Sequence, residues 1–265
     1  MLRLGRLLDR KPRTLSAGQR QRVAVGRATV RVPEVFLLDE PLTHMDAGER
    51  IRLRTELAQL QHGLGVTAVY VTHDQSQAMA IGDRVAVMRG GRIEQVDEPR
   101  ALYQRPANTF VASFMGEPAM NLVDGYIEED GGRTYVVIGG QRLPFPGTPS
   151  GLMRGRSGRV TVGIRPEHVT DAGSEPGLPV LFSTAARIER LGYKLLVSCP
   201  IATTSVTVSD TPGIDKPPGG QAHLIARFPR SHPVRRGDRV ELAVDVSELS
   251  LFDPVTGQAL WNPAA

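Results

Sequence analysis

The sequence predicts two parts in tandem: an α/β segment to about residue 115, then an all-β segment over residues 119–265. Three observations carry this expectation. Two short apolar runs that end in polar residues, "VFLLDE" and "TAVYVTHD", flank a helical leucine pattern. Past "FMGEPAMN" the helical periodicity stops, and short alternating runs separated by Gly- and Pro-rich stretches take over. The composition, 40% hydrophobic and 23% charged over 265 residues, gives each part material for its own core.

The elements follow in chain order. The opening "MLRLGRLLDRKP" spaces Leu2, Leu4, Leu7 and Leu8 as a short amphipathic helix closed by Lys11-Pro12. It lacks the unbroken apolar core and small-residue cleavage site of a secretory signal. Ser16, in "LSAGQ", can cap a helix running through Arg20 to Val30. The runs "VFLLDE" and "TAVYVTHD", rich in β-branched and aromatic residues, fit parallel strands buried on both faces. Between them, Leu53, Leu57, Leu60 and Leu64 form one helix face, closed by Gly63 and Gly65. Strand, helix, strand at this spacing is a βαβ unit. "RVAVMRGGRIEQV" then predicts a hairpin around Gly90-Gly91, and "DEPRALYQRP" one more short helix. In the β part, "RTYVVI", "GRVTVGI", "KLLVSC", "TTSVTVS", "HLIARF" and "RVELAVDV" predict separate strands of a small barrel or sandwich. The boundary is expected near residues 114–121.

Charge and cysteine content narrow the function classes. Lys+Arg 32 against Asp+Glu 28 gives a net +4 that is dispersed along the chain, so no nucleic-acid tail is indicated. Cys199 is the single cysteine, which leaves no disulfide within one chain and fits a reducing compartment. No apolar stretch approaches the roughly 18 residues of a membrane-spanning helix.

Three local patterns carry candidate chemistry. Ser16 and Gly18 stand at a helix start, where exposed N–H groups and the positive helix end suit a phosphate and a missing side chain permits close approach. The same residues also serve as an ordinary cap. Asp39 and Glu40 end an apolar strand, the position at which ligands bind in α/β sheets. One carboxylate holding Mg²⁺ and its neighbour polarising a water is the division of labour that phosphoryl transfer needs, although a strand end entering a solvated loop looks the same. His73 ends the next run. If the two strands are neighbours, His73 and Glu40 emerge on one rim of the sheet; a histidine at a strand end can equally be structural. His44 and His62, in the connection between, have no comparable placement.

In this order and spacing, the pieces resemble the ABC-type ATPases. "LSAGQ" is similar to the signature loop, with Ala17 where glycine is usual. "VFLLDE" resembles the Walker B strand, "LTHMDA" the D-loop and "YVTHD" the switch-histidine loop. The resemblance implies a P-loop NTPase-like half domain with ATP and Mg²⁺ as cofactors. It implies that Asp39 holds the metal through water, Glu40 is the general base and His73 contacts the γ-phosphate. It further implies that Ser16, Gly18 and Gln19 meet the ATP of an opposite subunit in a head-to-tail dimer, with Asp46 coupling the two sites. "PAMNLVDG", "VGIRPEHV" and "VELAVDVSELSLFDPVTGQAL" resemble the oligomer-binding-like (TOBE) extension of the carbohydrate importer ATPases, the maltose and glycerol-phosphate importer group. That implies transmembrane permease partners, an extracellular solute-binding protein indirectly, and a place on the cytoplasmic face of the membrane. A dimer interface and the receipt of regulatory signals in the β part are implied as well.

One part of that pattern is missing. The lysines Lys11, Lys194 and Lys216 each follow a residue other than glycine, so no G-x-x-x-x-G-K-[S/T] phosphate cradle occurs in these residues. The expectation is that the chain begins inside the helical subdomain, lacks the Walker A portion and does not turn over ATP by itself. Two other importer classes, for polyamines and for iron or anions, share the ATPase core. A nucleic-acid-binding β module is a further reading, but the aromatics that would stack bases (Tyr126, Tyr135, Phe145, Phe182, Tyr193, Phe228, Phe252) are thinly spread. A non-catalytic regulatory dimer built on the β part is another.

Overall fold

A computed structural model describes residues 4–30, 33–43, 45–146, 158–206, 208 and 220–263. By its contacts the chain divides into two compact units, Met1–Val85 and Ala86–Ala265.

In the first unit, helix α1 spans Ala17–Val30, strand β1 Val35–Asp39, helix α2 Ala47–Leu64, strand β2 Thr67–Val71 and helix α3 Gln75–Ile81. β1 and β2 pair in parallel, with Val35 opposite Thr67 and Asp39 opposite Val71, so the expected βαβ unit forms. The helix between them ends where Gly65 takes φ +63, a left-handed position that glycine reaches without a Cβ clash. Val25 of α1, Leu42, Met45, and Leu53 and Leu57 of α2 make the core, with Leu4 and Tyr70 packed against it. The expected amphipathic helix at the start is instead two 3₁₀ turns, Leu4–Leu7 and Pro12–Thr14. Leu8 lies 78% exposed, so too little apolar surface is buried to offset the cost of nucleating a full helix.

The β1–β2 pair buries one face only. Phe36 is buried and Tyr70 half-buried, whereas Val35, Leu37, Val69 and Val71 alternate onto the other face and are exposed, Leu37 by 78%.

The second unit starts with the hairpin of β3 (Val85–Arg89) and β4 (Arg92–Asp97), turned by Gly90 and Gly91, both at positive φ. Helix α4 covers Pro99–Gln104. A helix the sequence reading missed, α5 (Thr109–Phe114), is capped by Asn108, whose Oδ1 accepts from Val111 N at 2.9 Å. Twelve strands follow: β5 Asn121–Asp130, β6 Arg133–Ile138, β7 Gln141–Phe145, β8 Arg159–Ile164, β9 Val169–Asp171, β10 Val180–Thr184, β11 Arg187–Leu191, β12 Lys194–Thr204, β13 Gln221–Phe228, β14 Arg239–Val244, β15 Ser250–Phe252 and β16 Ala259–Trp261. They form a six-stranded sheet in the order β16-β15-β8-β5-β6-β7 and two three-stranded sheets, β10-β14-β9 and β11-β12-β13. Their inward residues share one core, from Val123 and Val162 through Val197 and Leu224 to Leu251. "KLLVSC" and the start of "TTSVTVS" are one strand rather than two. β12 continues through Pro200, which lies opposite His223, and its register shifts between Ile201 and Thr204.

Arg165 ties helices to strands within this unit. It is 3% exposed and its guanidinium donates to three backbone carbonyls: Tyr103 at 2.7 Å, Ala112 at 3.2 Å, and Met115. It also lies 3.9 Å over the Tyr103 ring, while the Tyr103 hydroxyl donates to Glu167. Burial draws the guanidinium down to about 10, against the opposing pull of Tyr103 and Glu167. "GIRPEH" thus fastens α4 and the end of α5 to β8.

Candidate active site

The site residues lie in the first unit, and the parallel pairing brings two of them together. β1 ends at Asp39, and the next residue, Glu40, turns the chain with φ 43, a left-handed conformation that strains a residue bearing a Cβ. Its N–H still bonds to Val71 O at 2.9 Å, so the turn begins while the strand is paired. Glu40 Oε1 lies 3.0 Å from His73 Nδ1, just past the end of β2. An ionised carboxylate only accepts, so Nδ1 carries the hydrogen, and in the neutral ring Nε2 is left as an acceptor. The other oxygen, Oε2, accepts from the Thr43 hydroxyl at 3.0 Å. With side chains 42% and 73% exposed, Glu40 and His73 gain little stability from this pair. Its value is orientation. Asp39 sits one residue earlier, exposed, on the open face of the sheet.

At α1, the serine and glutamine close a reciprocal cap. Gln19 N donates to Ser16 Oγ at 3.2 Å, and Ser16 N donates to Gln19 Oε1 at 3.1 Å, the S-x-x-Q form of a capping box. Gly18 is buried, and a Cβ there would come 2.6 Å from Glu49 Oε2 of α2. A side chain at this position would push the flexible end of Glu49 aside. Asp46 caps α2, its Oδ1 accepting from Glu49 N at 2.8 Å. His44 lies outside the described residues, as does the side chain of His62.

Sequence reasoning missed the residues that brace His73. Asp74 caps α3, accepting from Gln77 N at 3.1 Å and from Gln77 Nε2 at 2.7 Å, and its own N–H donates to Thr72 Oγ1 at 3.0 Å. Burial pushes the Asp74 carboxyl up, but the bonds from Gln77 and the Ser76 backbone, with the charge of Arg50, outweigh it and hold the group below its usual range. Gln77 in turn accepts from the Tyr70 hydroxyl at 2.7 Å, and burial, seconded by Asp74, pushes that phenol up to about 12. The D-x-x-Q spacing after His73 was a readable cap signal; Thr43 carried none.

Among the described residues, no group of three or more His, Cys, Asp or Glu gathers as a metal cage. One exposed carboxylate at a strand end instead suits a hydrated Mg²⁺ completed by phosphate oxygens, since that ion keeps several waters and takes few protein ligands.

Comparison with known proteins identifies the family. The profile of the ABC transporter family matches residues 2–43, and that of the MalK OB fold domain matches residues 116–169. The trehalose/maltose import ATP-binding protein MalK of Thermococcus litoralis is 41% identical over 98% of this chain and 66% of its own length. The sn-glycerol-3-phosphate import ATP-binding protein UgpC of Yersinia pestis is 51% identical over 97% of this chain and 65% of its own. The xylose/arabinose import ATP-binding protein XacK of Haloferax volcanii is 44% identical over 99% and 63%. The chain thus spans close to two thirds of the length of these curated relatives.

Proposed function

We propose, from the premise that the chain belongs to the ABC transporter ATP-binding family and carries a MalK-type OB-fold domain, that it serves as the ATP-hydrolysing component of an importer for sugars or sugar-like solutes. The Glu40–His73 contact at 3.0 Å, on the carboxyl rim of a parallel strand pair, is the observation that carries this reading.

In the proposed mechanism Glu40 orients the attacking water and accepts its proton. His73, held by Glu40 through Nδ1, stabilises the γ-phosphate in its doubly protonated form, with Nε2–H donating to a phosphate oxygen. Asp39 would hold Mg²⁺, which would supply neutralisation of the charge on the phosphates. Ser16, Gly18 and Gln19, at the positive end of α1, face the nucleotide of a second, head-to-tail subunit, and Asp46 links the two sites. The partners in this reading are that second subunit and a pair of transmembrane permease proteins, on the cytoplasmic face of the membrane, with an extracellular solute-binding protein acting indirectly. The functional division is placed at residues 114–121, with the ATPase portion before it and the regulatory OB-type domain after it. The import functions named for the relatives support the solute class.

Phosphoryl transfer rests on positioning and electrostatics, and the lysine-bearing phosphate cradle is not among these 265 residues. The purified 265-residue chain is therefore expected to show no Mg-ATP turnover. Joining it to an N-terminal ATPase segment that carries G-x-x-x-x-G-K-[S/T] should restore turnover. In that chimera Glu40→Gln should lower kcat by about 100-fold or more while nucleotide still binds, the loss expected for a missing general base. Equal turnover with and without Glu40 would overturn the assignment.

A further inference from the structure

We propose that Arg50 is a positioning residue that joins the Asp46 turn to the His73 turn, so that a change at one is felt at the other. The proposal rests on the functional reading above, which makes those turns parts of one catalytic rim.

Arg50 stands in the first turn of α2 and reaches both ways. Its Nη2 donates to the carbonyl of Met45, the residue before Asp46, at 3.1 Å. Its Nη1 lies 3.8 Å from Oδ2 of Asp74, the residue after His73. That same oxygen accepts from Gln77 Nε2, whose amide oxygen accepts from the Tyr70 hydroxyl at the end of β2. His73 is accordingly flanked by Thr72 and Asp74, which are hydrogen-bonded to each other, and Asp74 faces the guanidinium anchored at the other turn. Between Met45 O and the backbone next to His73 the contacts run through two side chains, Arg50 and Asp74.

The Arg50 guanidinium divides its contacts between the two turns rather than committing them to one. The Arg50–Asp74 pair is 40% and 25% exposed, so water screens it and it adds little to stability. Arg50 Nε is buried without a hydrogen-bond partner among the described residues, an unfavourable place for a donor. A guanidinium forked between two turns holds them in a fixed relation. A compact ammonium cannot span the same two acceptors in a fixed geometry.

The test needs no nucleotide. In the 265-residue chain, the amide signal of Asp74 and the ring signals of His73 are followed by NMR on introducing Asp46→Asn in three backgrounds: native, Arg50→Gln and Arg50→Lys. In the native background the substitution should shift both sets of signals. With Arg50→Gln, and equally with Arg50→Lys, the shift should be about threefold smaller, the signature of coupling in a double-mutant cycle. Arg50→Lys keeps the charge, so it also serves if Arg50→Gln weakens folding. Undiminished shifts in either background would overturn the proposal. Because ATP is absent, that outcome is separate from the fate of the Glu40→Gln chimera.

Discussion

Glu40 keeps a left-handed backbone at φ 43, where a side chain costs about 1–2 kcal/mol, and spends its carboxylate on two exposed contacts that return little of it. Strain of this kind collects where orientation matters more than stability. Glu40→Gly should therefore stabilise the first unit by about 1 kcal/mol while abolishing turnover in the chimera. Urea titration of the helical signal checks the first half of that statement, and phosphate release the second. Ser16, in contrast, is a residue whose two readings coexist. Its hydroxyl caps α1 in the isolated chain, and the same hydroxyl would be offered to a phosphate in an assembled pair.

At the scale of elements, Arg165 does for α4 and α5 what a hydrophobic seam does elsewhere. Replacing it with methionine keeps much of the volume but strips three carbonyls of their donor. Arg165→Met should lower stability of the second unit by about 3 kcal/mol. Arg165→Lys should lie between, because one ammonium cannot serve three acceptors. Trp261 is the single tryptophan of the chain and packs edge-on to Phe145 at 5.5 Å, so its fluorescence reports this unit directly. The same elements show what could be read from the sequence. The βαβ unit and the meeting of Glu40 with His73 were legible, because two short apolar strands joined by a helix of this length pair in parallel by simple connectivity rules, although burial of both strand faces was expected and only one is covered. The anchoring of α5 by Arg165, the run of β12 through Pro200 and the seat of Glu49 beside Gly18 were not. Each depends on groups distant in the chain, and local periodicity is silent about them. Asp74 falls between: its capping pattern was visible, but its tie to Arg50 is tertiary.

Among the described residues, the main cores of the two units are of unequal size. The first is a small cluster around Val25, Leu42, Met45, Leu53 and Leu57, and the second runs through three sheets. The longer helices, α1 and α2, belong to the first unit and Trp261 to the second. Unfolding in urea should therefore separate by probe, with helical circular dichroism lost at lower denaturant than Trp261 fluorescence. Coincident midpoints would mean that the two units unfold as one.

The bare side of the β1–β2 pair has a practical corollary. Val35, Leu37, Val69 and Val71 make a stripe of hydrocarbon in contact with water, with the Asp39 carboxylate at its head. Parallel strands are ordinarily sheltered front and back. Left uncovered, the stripe makes dilution, cosolvent and company part of the behaviour of this chain: crowded, it is an adhesive, and whatever settles on it arrives beside the proposed metal-holding acid.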